Sequence, residues 1–184
     1  MLDDLGIPYL VGGSVASSLH GIPRATQDVD LVADLHESSV EDLVARLENS
    51  FYIDAEMIRD AIARRASFNV IHLESMLKVD VFVLRRDAFS RAEMERRSAI
   101  VVDEGGRALW FASPEDVLLH KLVWYRDGSE VSDRQWSDAL GVLKVSGPGI
   151  DRAYLRHWAP RLGVGDLLMR LMADAGLPED SDRS

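Results

Sequence analysis

Three aspartates in two short stretches of the sequence are well suited to bind a metal ion. Asp28 and Asp30 lie two residues apart in an alternating run, so both side chains project from one face of the predicted strand. Asp80 lies in a second alternating run, residues 77–84, where it is either an edge-strand charge or the partner of an ion. If the two strands are neighbours, three carboxylates converge, and Mg²⁺ prefers such hard oxygen ligands.

A glycine-rich turn precedes these aspartates and suits a phosphate group. A short apolar strand, residues 9–11, runs into Gly12, Gly13 and Ser14, and a helix from Val15 to about His20 is predicted to follow. Glycines allow close approach of the backbone, serine adds a hydroxyl donor, and a helix N-terminus offers N–H groups to an anion. On its own this pattern is usually a plain turn. Followed by paired aspartates, it predicts a site for a metal-bound nucleoside triphosphate.

These motifs resemble those of the DNA polymerase β-like nucleotidyltransferase superfamily, whose pattern is a hydrophobic residue with Gly-Gly/Ser, then Asp-hydrophobic-Asp, then a later Asp on a neighbouring strand. The matching positions are Val11-Gly12-Gly13-Ser14, Asp28-Val29-Asp30-Leu31 and Lys78-Val79-Asp80. Within the superfamily, residues 21–28 and 113–122 are similar to the AbiEii-type branch, many of whose members are toxins of bacterial toxin–antitoxin pairs. The resemblance covers residues 7–145.

The resemblance implies a metal-dependent enzyme that moves a nucleoside monophosphate from an NTP to an acceptor hydroxyl. Its motifs do not specify the acceptor, which we predict to be RNA or protein. Mg²⁺ is the expected cofactor, with Mn²⁺ as an alternative, and a cognate antitoxin or other protein is an expected partner. The expected catalytic and metal-binding residues are Asp28, Asp30 and Asp80, and the expected nucleotide-binding residues are Gly12, Gly13, Ser14, Arg24 and Lys121.

Two of these basic residues have a structural alternative. Arg24 lies in the loop before the aspartates, where a guanidinium could steady a phosphate or an acidic neighbour. Lys121 lies at the border of the apolar side of a predicted helix, so it could be a surface lysine whose stem covers apolar neighbours. Asp133 and Asp138 are expected to be solvated acids, although the resemblance also allows Asp133 to orient Lys121.

Composition excludes several classes of protein. There is no cysteine among the 184 residues, which excludes disulfides and thiolate metal sites and fits a cytoplasmic protein. No apolar run is long enough to predict a membrane span. No basic region followed by an apolar one predicts a secretory signal. The net charge of −10 argues against strong non-specific DNA binding and favours a small acceptor, a protein acceptor or a basic partner.

The remaining pattern predicts an α+β fold with a mixed, mostly antiparallel small sheet flanked by helices and followed by a helical C-terminal part. Residues 1–112 would form a nucleotidyltransferase core, 113–177 a helical part packed on it, and 178–184 a disordered tail. Helices are predicted over 40–48, 55–65, 85–97, 151–162 and 165–175 and after Ser113 and Ser132, with strands over 27–32, 67–73, 77–84, 99–102 and 108–111. The first helix, ending near Leu5, is short, which is consistent with a preceding N-terminal segment.

Two other functions fit the same residues. One is a nucleotide-binding antitoxin or regulatory module that keeps the fold without catalysis. The other is a transferase that modifies a small molecule such as an aminoglycoside antibiotic. A dinucleotide-binding fingerprint and a P-loop are both excluded, because the further glycine at the required spacing is absent and no Gly-Lys-Ser/Thr occurs.

Overall fold

The computed structural model describes residues 2–177, so the predicted disordered tail at 178–184 lies outside the described residues. The chain divides into two compact units. The first runs up to Val15 and continues over Ala25–Ala112, and the second contains Ala16–Arg24 and the described residues from Ser113 onwards.

The first unit is built on a seven-stranded sheet. Its strands are β1 (Tyr9–Val11), β2 (Asp28–Ala33), β3 (Phe51–Tyr52), β4 (Ser67–His72), β5 (Lys78–Val83), β6 (Ser98–Val101) and β7 (Ala108–Phe111). They lie in the order β3-β4-β5-β2-β1-β7-β6. The β2–β5 and β1–β7 pairs are parallel and the other neighbouring pairs are antiparallel. The predicted mixed, mostly antiparallel sheet is therefore confirmed.

Helices complete the first unit and make up the regular structure described for the second. They are α1 (Gly13–His20), α2 (Val40–Leu47), α3 (Ala55–Arg64), α4 (Ala88–Arg96), α5 (Pro114–Asp127), α6 (Asp133–Ser146), α7 (Arg152–Arg161) and α8 (Gly165–Asp174). Short 3₁₀ turns occur at Asp3–Leu5, Glu37–Ser39 and Gly147–Gly149. In the part of the chain that the structure describes, no helix combines the length and the apolar character that a membrane crossing requires.

Side-chain caps begin several of these helices. Asp54 and Ser113 each accept a hydrogen bond from the backbone N–H three residues further on, as their sequences predict. The predicted start of α4 at residue 85 is wrong, because Asp87 caps the helix through the N–H of Ser90 and the helix begins at Ala88. The predicted start of α1 at Val15 is also wrong, since that helix already begins at Gly13.

The two faces of the central strands differ in polarity. Leu31 of β2 and Val81 of β5 line a small apolar cavity of about 130 Å³, together with apolar side chains of α2. Because side chains alternate across a strand, the three aspartates of β2 and β5 lie on the opposite face. Hydrophobic burial of one face thus determines which residues the other face presents.

A buried polar cluster connects α5 and α7 in the second unit. The hydroxyls of Ser113 and Tyr154 donate to the two carboxylate oxygens of Asp116 at 2.6 and 2.7 Å. Glu115 is also buried, and it accepts a hydrogen bond from the N–H of Asp151 at 2.7 Å. The acidic first turn of α5 therefore bonds to its own N-cap residue, Ser113, and to the N-terminal end of α7.

Candidate active site

The three aspartates lie on one face of two neighbouring parallel strands. In the pairing of β2 with β5, Asp30 is the register partner of Asp80, and Asp28 is the partner of Lys78. Register partners of adjacent strands project on the same side, and Asp28 shares that side with Asp30 because the two are two residues apart. The two strands are therefore neighbours, which is the condition that the sequence set for the three carboxylates to share one face.

Lys78 lies among these carboxylates. Its Nζ atom is 2.8 Å from Oδ2 of Asp80 and 3.8 Å from Oδ1 of Asp28. The hydrogen bond to Asp80 raises the pKa of Lys78, and the negative charges of Asp80, Asp28 and Asp30 act in the same direction. The Lys78 side chain is 38% exposed, so this face of the strands is open to solvent.

The carboxylate of Asp30 lies against the glycine-rich turn. The N–H of Gly12 donates to the backbone carbonyl of Asp30 at 2.9 Å. Gly13 has a φ of +56°, and a Cβ added there would lie 1.8 Å from Oδ2 of Asp30. No side chain fits that space, so glycine is required for the close approach. Ser14 follows Gly13 in the first turn of α1, which brings the turn, the helix N-terminus and one carboxylate together.

One polar residue of this face was not singled out by sequence. Asn69 of β4 is the antiparallel partner of Asp80, so its exposed side chain belongs to the same row as Asp30 and Asp80. The signal was the alternation of β4, in which an asparagine between buried Phe68 and Val70 indicates only a solvent-facing position. The position of Asn69 beside Asp80 depends on the pairing of β4 with β5, which the local sequence pattern does not show.

The other two predicted nucleotide-binding residues meet in the second unit. Arg24 donates from Nε and Nη2 to the two carboxylate oxygens of Asp138, each at 2.9 Å. Lys121 donates to Oδ2 of the same carboxylate at 2.8 Å, and its Nζ lies 5.5 Å from the ring centroid of Trp124. The side chains of Lys121 and Asp138 are 1% and 7% exposed. Two cations therefore share one buried anion.

This cluster corrects two expectations. Asp138 is a buried ion-pair partner and not a solvated acid, and Lys121 is not a surface lysine. Asp133 is exposed at the start of α6, so Asp138 is the acid that holds Lys121. Burial alone would raise the pKa of Asp138, but hydrogen bonds from Arg24 and Lys121 and their charges outweigh it and lower that pKa. Nucleotide binding by Arg24 and Lys121 stays a prediction.

The donor chemistry of the aspartate face fits a divalent cation. Three carboxylates on one solvent-facing surface supply the hard oxygen ligands that Mg²⁺ and Mn²⁺ accept. Within residues 2–177, no three or more His, Cys, Asp or Glu side chains stand close enough together to form a ready-made metal site. The ammonium group of Lys78 binds Oδ2 of Asp80, which is one of the oxygens that such an ion would use.

Comparison with solved structures identifies the fold. The solution structure of the antibiotic-resistance factor ANT(2'')-Ia matches 92% of this chain and 91% of its own, with a TM-score of 0.55 and 15% sequence identity. The chain has a nucleotidyltransferase-like fold. At this identity, the match describes the fold and not the activity.

Two further solved structures are similar at a TM-score of 0.49. One is an antigenic nucleotidyltransferase-like protein from Paracoccidioides brasiliensis, 18% identical, with coverage of 77% of this chain and 68% of that one. The other is the lincosamide antibiotic adenylyltransferase LnuA bound to lincomycin, 12% identical, with coverage of 78% and 90%. No family model and no curated protein matches the chain.

Proposed function

We propose that this chain is a metal-dependent nucleotidyltransferase that moves a nucleoside monophosphate from an NTP to an acceptor hydroxyl and releases pyrophosphate. The observation that supports this most is the alignment of Asp30 with Asp80 across two parallel strands, beside Gly13 at the start of α1. The nucleotidyltransferase-like fold supports the same reaction class.

Each candidate site residue of the first unit has a chemical role in this proposal. Asp28, Asp30 and Asp80 would hold Mg²⁺ or Mn²⁺, which when bound would neutralise phosphate charge and acidify the acceptor hydroxyl. The backbone N–H groups at Gly13 and the hydroxyl of Ser14 would bind the β- and γ-phosphates.

The transfer itself requires little covalent chemistry from the protein. The acceptor oxygen forms a bond to the α-phosphorus while the bond to the bridging β-phosphate oxygen breaks, and pyrophosphate leaves. Asp80 would accept the proton of the acceptor hydroxyl. Phosphoryl transfer of this kind relies on positioning and charge neutralisation, which a row of carboxylates beside a helix N-terminus provides.

A labelling experiment tests the proposal. The protein is incubated with each α-³²P-labelled NTP, Mg²⁺ and a panel of RNA, protein and aminoglycoside acceptors. We expect a labelled product, its loss with EDTA, and a decrease of about a hundredfold or more in Asp30→Asn and Asp80→Asn. Asp42→Asn, which removes an exposed carboxylate of α2 in the same unit, should keep full activity. Equal labelling by all variants would contradict the proposal.

The proposal extends to the acceptor and to the biological role of the enzyme. We propose RNA or protein as the acceptor, and similarity to the AbiEii-type branch supports a toxin that a partner protein neutralises. Expression of the wild-type chain should then arrest growth, and Asp30→Asn should relieve the arrest. Growth arrest of equal strength by the variant would contradict a toxin that acts through this chemistry.

One observation favours a second candidate acceptor. The net charge of −10 attracts cationic molecules, and aminoglycosides are cations that carry many hydroxyl groups. Labelling of an aminoglycoside in the same panel, without labelling of RNA or protein, would support this acceptor. Nucleotide binding without any labelled product would instead support a non-catalytic regulatory module.

A further inference from the structure

We propose that Lys78 is a built-in counter-cation that competes with a divalent metal ion for the carboxylates of Asp80 and Asp28. This inference rests on the proposed function and adds a control on its metal site. The free chain would accordingly bind a divalent ion weakly, and the metal would enter only as the Lys78 ammonium moves away.

The position of Lys78 is the first observation. It is the register partner of Asp28, and this pair lies two residues along the strands from the pair of Asp30 and Asp80. Its Nζ donates to Oδ2 of Asp80 at 2.8 Å and lies 3.8 Å from Oδ1 of Asp28. One ammonium thus bridges carboxylates of both strands. A metal ion that used the same Asp80 oxygen would be placed next to a positive charge.

The charge of the face is the second observation. Asp28, Asp30 and Asp80 bring three negative charges and Lys78 one positive charge, so Lys78 lowers the attraction that this face exerts on any cation. Ammonium and divalent cations both favour carboxylate oxygen, but they repel one another at contact distance. Lys78 therefore decreases metal affinity in two ways, by occupying an oxygen and by its charge.

The exposure of the side chain is the third observation. Lys78 is 38% exposed at the edge of the face, and its four-carbon stem can turn the ammonium into solvent without moving β5. A triphosphate brought with the metal would offer the displaced ammonium a new anionic partner. The arrangement favours entry of metal and nucleotide together over binding of the metal alone.

Mn²⁺ binding to the full chain, without nucleotide, tests this directly. Free Mn²⁺ is measured by electron paramagnetic resonance during a titration of wild type, Lys78→Gln, Lys78→Arg and Lys144→Gln. We expect Lys78→Gln to lower the Mn²⁺ Kd about tenfold, the scale on which one nearby charge shifts an ionisation equilibrium. Lys78→Arg keeps the charge and should resemble wild type. Lys144→Gln removes the same charge from an exposed position of α6 and should also resemble wild type.

The outcomes separate this inference from the proposed function. Equal Mn²⁺ affinity in all four proteins, or weaker binding by Lys78→Gln, would overturn the role of Lys78 while leaving the metal site intact. Absence of saturable Mn²⁺ binding in every protein would overturn the metal site itself and this inference with it. Should Lys78→Gln fail to fold, Lys78→Thr supplies a second neutral side chain that suits a strand.

Discussion

The Nζ atom of Lys121 lies 2.8 Å from Oδ2 of Asp138, in an ion pair whose two side chains are 1% and 7% exposed. Arg24 donates two further hydrogen bonds to the same carboxylate. A buried carboxylate held by two cations is stabilising only while all the charges are present, because removal of the anion leaves the cations uncompensated.

Asp138→Asn should therefore lower the stability of the protein. Asparagine keeps the size of the side chain but removes the negative charge that Lys121 and Arg24 share. We expect the free energy of unfolding to fall by about 3 kcal/mol at neutral pH, as measured by urea denaturation. Asp133→Asn, an exposed acid at the start of the same helix, should change it by less than about 0.5 kcal/mol. Similar losses in both variants would show that the buried pair contributes no more than an exposed acid.

The contribution of Asp138 should disappear in acid. Its pKa in the folded protein is lowered by its two partners, so its stabilisation is fully present above the ordinary pKa of the unfolded state. That stabilisation is lost as pH falls below about 4 and through the folded pKa. The gap in unfolding free energy between wild type and Asp138→Asn should shrink between pH 6 and pH 3. A gap that is constant with pH would mean that Asp138 titrates alike in both states.

Gly13→Ala should distort the glycine-rich turn, whereas the fold of the turn should tolerate Gly12→Ala. Gly13 has a positive φ, and its added Cβ would overlap Oδ2 of Asp30, while the nearest atom to a Cβ at Gly12 is 4.0 Å away on Leu10. We expect Gly13→Ala to lose about 1–2 kcal/mol of stability in denaturation experiments and to lose the labelling activity. Equal behaviour of the two variants would contradict the close contact between the turn and Asp30.

Tyr154→Phe should loosen the contact between α5 and α7. The hydroxyl of Tyr154 donates to Asp116 at 2.7 Å, and Asp116 is fully buried. Removal of that donor should lower the unfolding free energy by about 1–2 kcal/mol. Tyr52→Phe is a suitable control, since Tyr52 is 62% exposed on β3, and it should leave the unfolding midpoint unchanged. An unchanged unfolding free energy in Tyr154→Phe would indicate that other groups supply the hydrogen bonds that the Asp116 carboxylate needs.

Local signals in the sequence predicted much of the fold. Hydrophobic alternation placed β2 and β5 within a residue or two, and capping residues such as Ser113 and Asp54 marked helix starts. β3 was missed because two residues carry no detectable periodicity. Those signals act over a few residues, so they locate elements well and say little about which elements meet.

The candidate site shows the same limit. The shared face of Asp28 and Asp30 follows from their spacing, but the register that sets Asp30 beside Asp80 depends on pairing between strands distant in sequence. The partner of Lys121 was misjudged for a related reason. Asp138 lies on the following helix, and its other partner, Arg24, is 114 positions away, so only helix packing could distinguish Asp138 from Asp133.

The opposed polarity of the two faces of β2 and β5 has a consequence for natural and designed variation of this chain. Deleting one residue from the middle of β5 would turn Asp80 towards the apolar cavity and bring valines to the solvent-facing side of the sheet. The turn that joins β4 to β5, residues 73–77, can change in length without that inversion. Indels should therefore be acceptable in the loops that bound these two strands and harmful within the strands themselves.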